Sequence, residues 1–152
     1  MSEEFGYYKL SGFTVILDFI RKLGLSRGFV RWHIYKSWIN QGYEIVDVTR
    51  HGIKYRLNIR DNTTDGKILT TSKFYDFQEI DALAKAVETS QQDKVFLDIG
   101  ANTGHYSLSL AKRGFTKIIA IEPNPPTLEL LSFNVKINNL EPVISIVPLC
   151  IG

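Results

Sequence analysis

Apolar positions recur along the chain in distinguishable rhythms. Phe13, Ile16, Leu17, Ile20 and Leu23 are spaced by three and four residues, with Ser11 placed to cap and Gly24 to terminate, so a first helix is expected over 11–24. After Ser26, the set Val30, Ile34 and Trp38, with Phe29 and Tyr35 beside it, predicts a second amphipathic helix ending near Asn40-Gln41-Gly42. Met1 to Lys9 lacks a clear period and reads as a loosely docked start. Tyr43–Val48 and Ile53–Ile59 are rich in β-branched and aromatic residues. They flank Arg50-His51-Gly52, which predicts a β-hairpin with His51 as a solvated tip residue. Asp61-Asn62-Thr63-Thr64-Asp65-Gly66 reads as a turn-rich connection, and Gln78 to Ser90 as a helix with Ile80, Leu83, Ala84 and Val87 on one face.

From Lys94 the rhythm alternates. Val95–Ile99 is a short apolar run broken only by Asp98, as expected for a strand buried on both faces of a parallel sheet. Gly104–Lys112 is helical and Gly114 is placed to end it. Lys117–Ile121 predicts a second strand, Pro126–Ile137 a helix with proline in its first turn, and Val143–Val147 a third strand. The fold class is therefore α/β, a partial doubly wound, Rossmann-like sheet of three parallel strands preceded by two helices and a hairpin. The expected organisation is an N-terminal helical extension over 1–42 and, over 43–152, the hairpin plus the first half of the α/β domain, with its core at 94–152.

Composition changes this picture little. A chain of 152 residues, 44% hydrophobic, has the size of one ordinary domain. Cys150 is the single cysteine, which excludes an internal disulfide framework, and no Cys/His spacing resembles a zinc site, so no metal is expected and a cytoplasmic location is. The apolar run Phe13–Ile20 contains Asp18 and is too short to span a bilayer. Charge is uneven: residues 1–60 carry ten Lys/Arg against five Asp/Glu, whereas the remainder is net acidic. This basic front, with Trp32, His33, Tyr35 and Trp38 interleaved, could touch nucleic acid or a membrane surface. The plainer reading, a solvated helix face above an aromatic core stripe, is preferred, and nucleic acid is not expected as a partner.

The loop Asp98-Ile99-Gly100-Ala101-Asn102-Thr103-Gly104 carries the chemistry. A cofactor lying across the carboxyl ends of parallel strands needs a turn whose backbone approaches it closely and a helix N-terminus behind that turn. Gly100 lets the chain turn sharply off the strand, and Gly104 lets the helix pack tightly while leaving room for a ligand. Glu122, at the end of the next strand and 18 residues beyond Gly104, can accept both hydroxyls of a ribose. A dinucleotide site would want glycines at 100, 102 and 105; the chain has Gly100, Asn102 and His105. That spacing points away from a pyrophosphate cradle and toward S-adenosylmethionine, which presents an amino acid and a sulfonium. Asp98 can orient the loop or attract the cofactor's ammonium.

The run Val95-Phe96-Leu97-Asp98-Ile99-Gly100-Ala101-Asn102-Thr103-Gly104-His105-Tyr106-Ser107 resembles successive motifs of the FkbM-type methyltransferases. So do Ile119-Ala120-Ile121-Glu122-Pro123-Asn124-Pro125 and then Asn134 and Asn138-Asn139-Leu140. The resemblance implies a class I methyltransferase fold, S-adenosylmethionine as donor, and transfer to a hydroxyl oxygen of a sugar, glycan or secondary metabolite. It implies that Asp98, Gly100, Ala101, Asn102 and Gly104 line the methionine moiety, Glu122 the ribose, and Pro123 and Asn124 the adenine side. Asn134 and Asn138 match the family's paired asparagines and are weighed toward local capping and packing. No general base is assigned; His105, just inside the helix, is more simply a first-turn residue bonded locally.

Seven strands are usual in this fold and three are expected here, so the Val95–Ile99 strand should be an open edge. The N-terminal elements, a second copy of the chain or a C-terminal half could cover it. An alternative to catalysis is an assembly module that keeps the half-sheet without methyl transfer.

Overall fold

The computed structural model describes residues 3–10, 19, 23–24, 28–71 and 75–150. Most of the first expected helix, 11–24, lies outside these residues. The chain divides into two compact units, Met1–Tyr75 and Asp76–Gly152.

The first unit contains α1 (Gly28–Asn40), β1 (Ile45–Arg50), β2 (Ile53–Asn58) and α2 (Thr63–Thr70). Helix α1 buries Ile34 and Trp38, four residues apart on one face, as the apolar spacing predicts. The hairpin is tighter than expected. Arg50 pairs with Ile53, so the loop is the two residues His51 and Gly52, both with positive φ, the conformation that matches the twist of the flanking strands. That register sets Asp47 opposite Arg56. The two side chains form a buried bidentate ion pair, Nε to Oδ1 at 2.8 Å and Nη2 to Oδ2 at 2.9 Å. Asp47 Oδ2 also accepts from the backbone N–H of Gly6 at 2.7 Å and of Tyr8 at 3.2 Å, while Asp47 N–H donates to the Tyr8 carbonyl at 2.9 Å. The start of the chain is thereby tied to the hairpin.

The segment expected as a turn-rich connection is largely helical. Asn62 caps α2, its Oδ1 accepting from the N–H groups of Thr64 and Asp65. Asp65 is buried and accepts from Asn58 N–H at 2.8 Å. Gly66, an unfavourable helix residue, is present because a Cβ there would lie 3.1 Å from the Tyr35 ring. Ile68 and Leu69 complete the buried face.

The second unit contains α3 (Phe77–Ala86), β3 (Val95–Ile99), α4 (His105–Ala111), β4 (Lys117–Ile121), α5 (Pro125–Ile137) and β5 (Ile144–Val147). Helix α3 is shorter than expected and buries only Ile80 of the predicted stripe. The three strands are parallel in the order β3-β4-β5, a partial doubly wound α/β sheet with β3 at its edge. Phe96 and Asp98 of β3 share a face with the buried Ile118, Ala120 and Ile144. The opposite face of β3 is open: Val95, Leu97 and Ile99 are 53%, 51% and 61% exposed. The expectation of burial on both faces is thus corrected: the described residues leave that face of the edge strand more than half exposed. No described helix is long and apolar enough to cross a membrane.

Candidate functional site

The sequence-predicted residues converge at the carboxyl ends of β3 and β4. Leaving β3, the N–H groups of Gly100 and Ala101 both donate to the Ile121 carbonyl at 2.9 Å, which folds the loop back over the end of β4. Gly100, Asn102 and Gly104 have φ of +75°, +52° and +94°. Three left-handed residues in five turn the chain into α4; asparagine is the non-glycine residue type that tolerates this region best. Gly104 is also a contact requirement, since a Cβ there would meet Leu131 Cδ1 at 2.7 Å.

Two carboxylates hold this loop from opposite ends. Glu122, 8% exposed, accepts Asn102 N–H on Oε2 at 2.9 Å and Asn124 N–H on Oε1 at 3.0 Å. Each oxygen keeps acceptor capacity, so the carboxylate is oriented by protein N–H groups and still able to receive two hydroxyls. Asp98 is equally buried, and its Oδ2 accepts from Ser107 N–H at 3.1 Å and Ser107 Oγ–H at 2.6 Å. Asp98 therefore orients the first turn of α4, one of the two roles its position allowed. Burial raises its carboxyl above the usual value of 3.8, and the two bonds from Ser107 partly offset this.

Ala101 and Gly104 are buried beneath the loop, Asn102 is half-buried, and Gly100, Pro123 and Asn124 are exposed at its rim. His105 is buried in the first turn of α4. Sequence spacing assigns no role to Ser107, although a hydroxyl nine residues after a strand-end aspartate is where an α4 first turn returns toward that strand. Asn134, fully buried on α5, donates Nδ2–H to the Thr103 carbonyl at 3.0 Å, and Asn138 donates to the Asn134 carbonyl at 2.8 Å. The asparagine pair braces the loop from behind. Tyr106 hydroxyl donates to Asp76, the left-handed N-cap residue of α3, at 3.1 Å.

An adenosine-bearing cofactor fits this arrangement. Glu122 supplies an oriented buried acceptor for a diol, the glycines leave the loop surface open, and no N–H cradle for a pyrophosphate is formed, because the loop's leading N–H groups are spent on Ile121 and Glu122.

Comparison with known proteins gives consistent relatives. The tRNA(Phe) (4-demethylwyosine(37)-C(7)) aminocarboxypropyltransferase of Pyrococcus horikoshii is 29% identical over 126 residues, 78% of this chain and 41% of that protein. The chain thus spans about two fifths of the length of this relative. The crystal structure of P. horikoshii TYW2 in complex with MeSAdo matches with a TM-score of 0.51 and 28% identity, covering 68% of this chain and 35% of that one. M. jannaschii TYW2 in complex with AdoMet matches in fold, with a TM-score of 0.51 at 21% identity over 68% of this chain and 42% of that one.

Three expectations are corrected by these findings. A relative named for tRNA stands against both the sugar or glycan hydroxyl acceptor and the view that nucleic acid is not a partner. The physical reason is that the loop and Glu122, the features on which those expectations were built, carry no information about an acceptor. The FkbM-type resemblance also falls. Its motifs are those that an adenosylmethionine loop imposes on many sequences, whereas the family model for the TRM5/TYW2 methyltransferase domain matches residues 48–149, reaching back through the hairpin where the FkbM-type pattern is weak. With two thirds of its residues under that match, the chain belongs to the TRM5/TYW2 methyltransferase domain family.

Proposed function

We propose that this chain holds S-adenosylmethionine against the Gly100–Gly104 loop and Glu122 and forms the donor-binding part of an enzyme that modifies tRNA. The observation that carries the reading is Glu122: a buried carboxylate at the end of β4, each oxygen fixed by one backbone N–H and each keeping room for one ribose hydroxyl. In this reading Asp98, Ala101, Asn102 and Gly104 shape the methionine end and Pro123 and Asn124 border the base. When bound, the cofactor supplies an electrophilic carbon on its sulfonium; the residues described here bind and orient it. A cytoplasmic location accords with a tRNA acceptor.

The transferred group is a methyl in the reading we favour, after the family's methyltransferase domain. Transfer of the aminocarboxypropyl group is the second reading, supported by the P. horikoshii relative. Both groups are carbon substituents of the same sulfonium, so the geometry of donor binding is common to them. Incubation of the chain with a tRNA transcript and S-adenosylmethionine labelled either in the methyl or in the carboxyl carbon separates them. Methyl label in the RNA supports the first reading, carboxyl label the second, and label in neither removes both for this chain.

A further inference from the structure

The family match begins at residue 48 and leaves α1 without an assigned role. We propose that the outer face of α1, formed by Trp32, His33 and Lys36, is an RNA-contact surface on which a base stacks and a phosphate is paired; this rests on the tRNA reading above.

Three observations carry it. First, α1 separates its aromatic residues by role. Trp38 is fully buried with Ile34, and the Tyr35 hydroxyl donates to the Ile59 carbonyl, so these are packing residues. Trp32 stands out at 54% exposure, off the face that buries Ile34 and Trp38. Second, the exposed indole sits beside a cation and an imidazole ring. Lys36 Nζ lies 5.9 Å from the centroid of its ring and the His33 ring meets it edge-on at 4.8 Å. Third, charge is complementary to a polyanion. The thirteen residues of α1 include no acidic side chain. The first unit as a whole holds twelve Lys/Arg and seven Asp/Glu; Arg50 and Arg56 on one side and Asp47 and Asp65 on the other are buried, so the basic excess of five stands without them.

An exposed aromatic beside a lysine is the combination that single-stranded nucleic acid requires: the ring accepts the π-face of any base, and the ammonium neutralises a neighbouring phosphate. A partner protein of ordinary composition would gain from the indole but not from the adjoining lysine. RNA uses both.

The test is fluorescence anisotropy of the full chain with a labelled, unmodified tRNA transcript across a salt series. Trp32→Ala is expected to raise Kd about tenfold, Trp32→Phe to retain most of the affinity, and Lys36→Gln to weaken binding and lower the slope of log K against log salt by about 1. Melting temperatures of the variants should match the wild type, because these side chains are exposed. Binding of tRNA by wild type and Trp32→Ala alike would overturn the inference while leaving the tRNA reading intact. Failure of the wild type to bind tRNA at low salt would remove both. Trp32-dependent binding to phosphatidylserine vesicles with none to tRNA would overturn it in favour of a membrane surface.

Discussion

At the scale of single residues, the loop is determined by what each side chain excludes. Gly104 combines a φ of +94° with a methyl-sized space already taken by the buried Leu131. Gly104→Ala is expected to destabilise the protein by about 1–3 kcal/mol, read as a fall in melting temperature of several degrees. Asp98 makes a pH-dependent contribution of definite sign. Its folded carboxyl titrates above 3.8, so the stability it contributes is complete below that value and is lost as pH rises through the raised folded value. The melting temperature of the wild type relative to Asp98→Asn should therefore be highest at pH about 3 and decline toward pH 7. A difference that grows with pH would show that the Ser107 hydrogen bonds outweigh desolvation. The glycines and both carboxylates were legible from sequence because few residue types satisfy a left-handed turn or a strand-end acceptor. Ser107 was not, and Asn134 was legible only as a packing residue, since a serine or asparagine can bond locally almost anywhere and only the fold shows which carbonyl or carboxylate it meets.

At the scale of elements, alternating strands and helices from Lys94 onward were readable within a residue or two, because buried parallel strands and amphipathic helices leave strong patterns. The exposed face of β3 was not. An apolar run records what a strand is suited to bury, not how much of it is covered, and Val95, Leu97 and Ile99 are more than half exposed. Helix α2 was missed for the opposite reason: Asn62, Asp65 and Gly66 are turn formers by composition but serve here as cap, buried acceptor and close-approach residue. In the hairpin, placing the turn at His51-Gly52 rather than one residue wider is what reveals the Asp47–Arg56 pair. Arg56→Ala leaves Asp47 buried without its counter-charge and is expected to lower stability by about 3–5 kcal/mol in urea unfolding. Replacement of the pair by Asp47→Leu with Arg56→Met should recover much of that loss, although the N–H groups of Gly6 and Tyr8 would then lack their acceptor.

At the scale of the whole molecule, the donor was legible and the acceptor was not. The proposed donor site is one loop and one carboxylate within a single strand-helix-strand unit, so its information is local in sequence. No comparable local motif marks an acceptor surface, and the sequence pattern weighed α1 as an ordinary solvated helix. Its burial pattern instead separates a packed face from an exposed basic-aromatic one. The family match covers the proposed donor site in the second unit, whereas the proposed RNA surface of α1 lies ahead of it and stands on the geometry of that helix alone.

The central claim is that the Gly100–Gly104 loop and Glu122 form an adenosylmethionine site, and calorimetric titration of the chain with S-adenosylmethionine tests it most directly. The wild type should bind one equivalent. Glu122→Ala should weaken binding about ten- to a hundredfold, the range expected for lost hydrogen bonds to a charged acceptor. Absence of binding by the wild type, or equal affinity in the Glu122→Ala variant, would contradict the assignment.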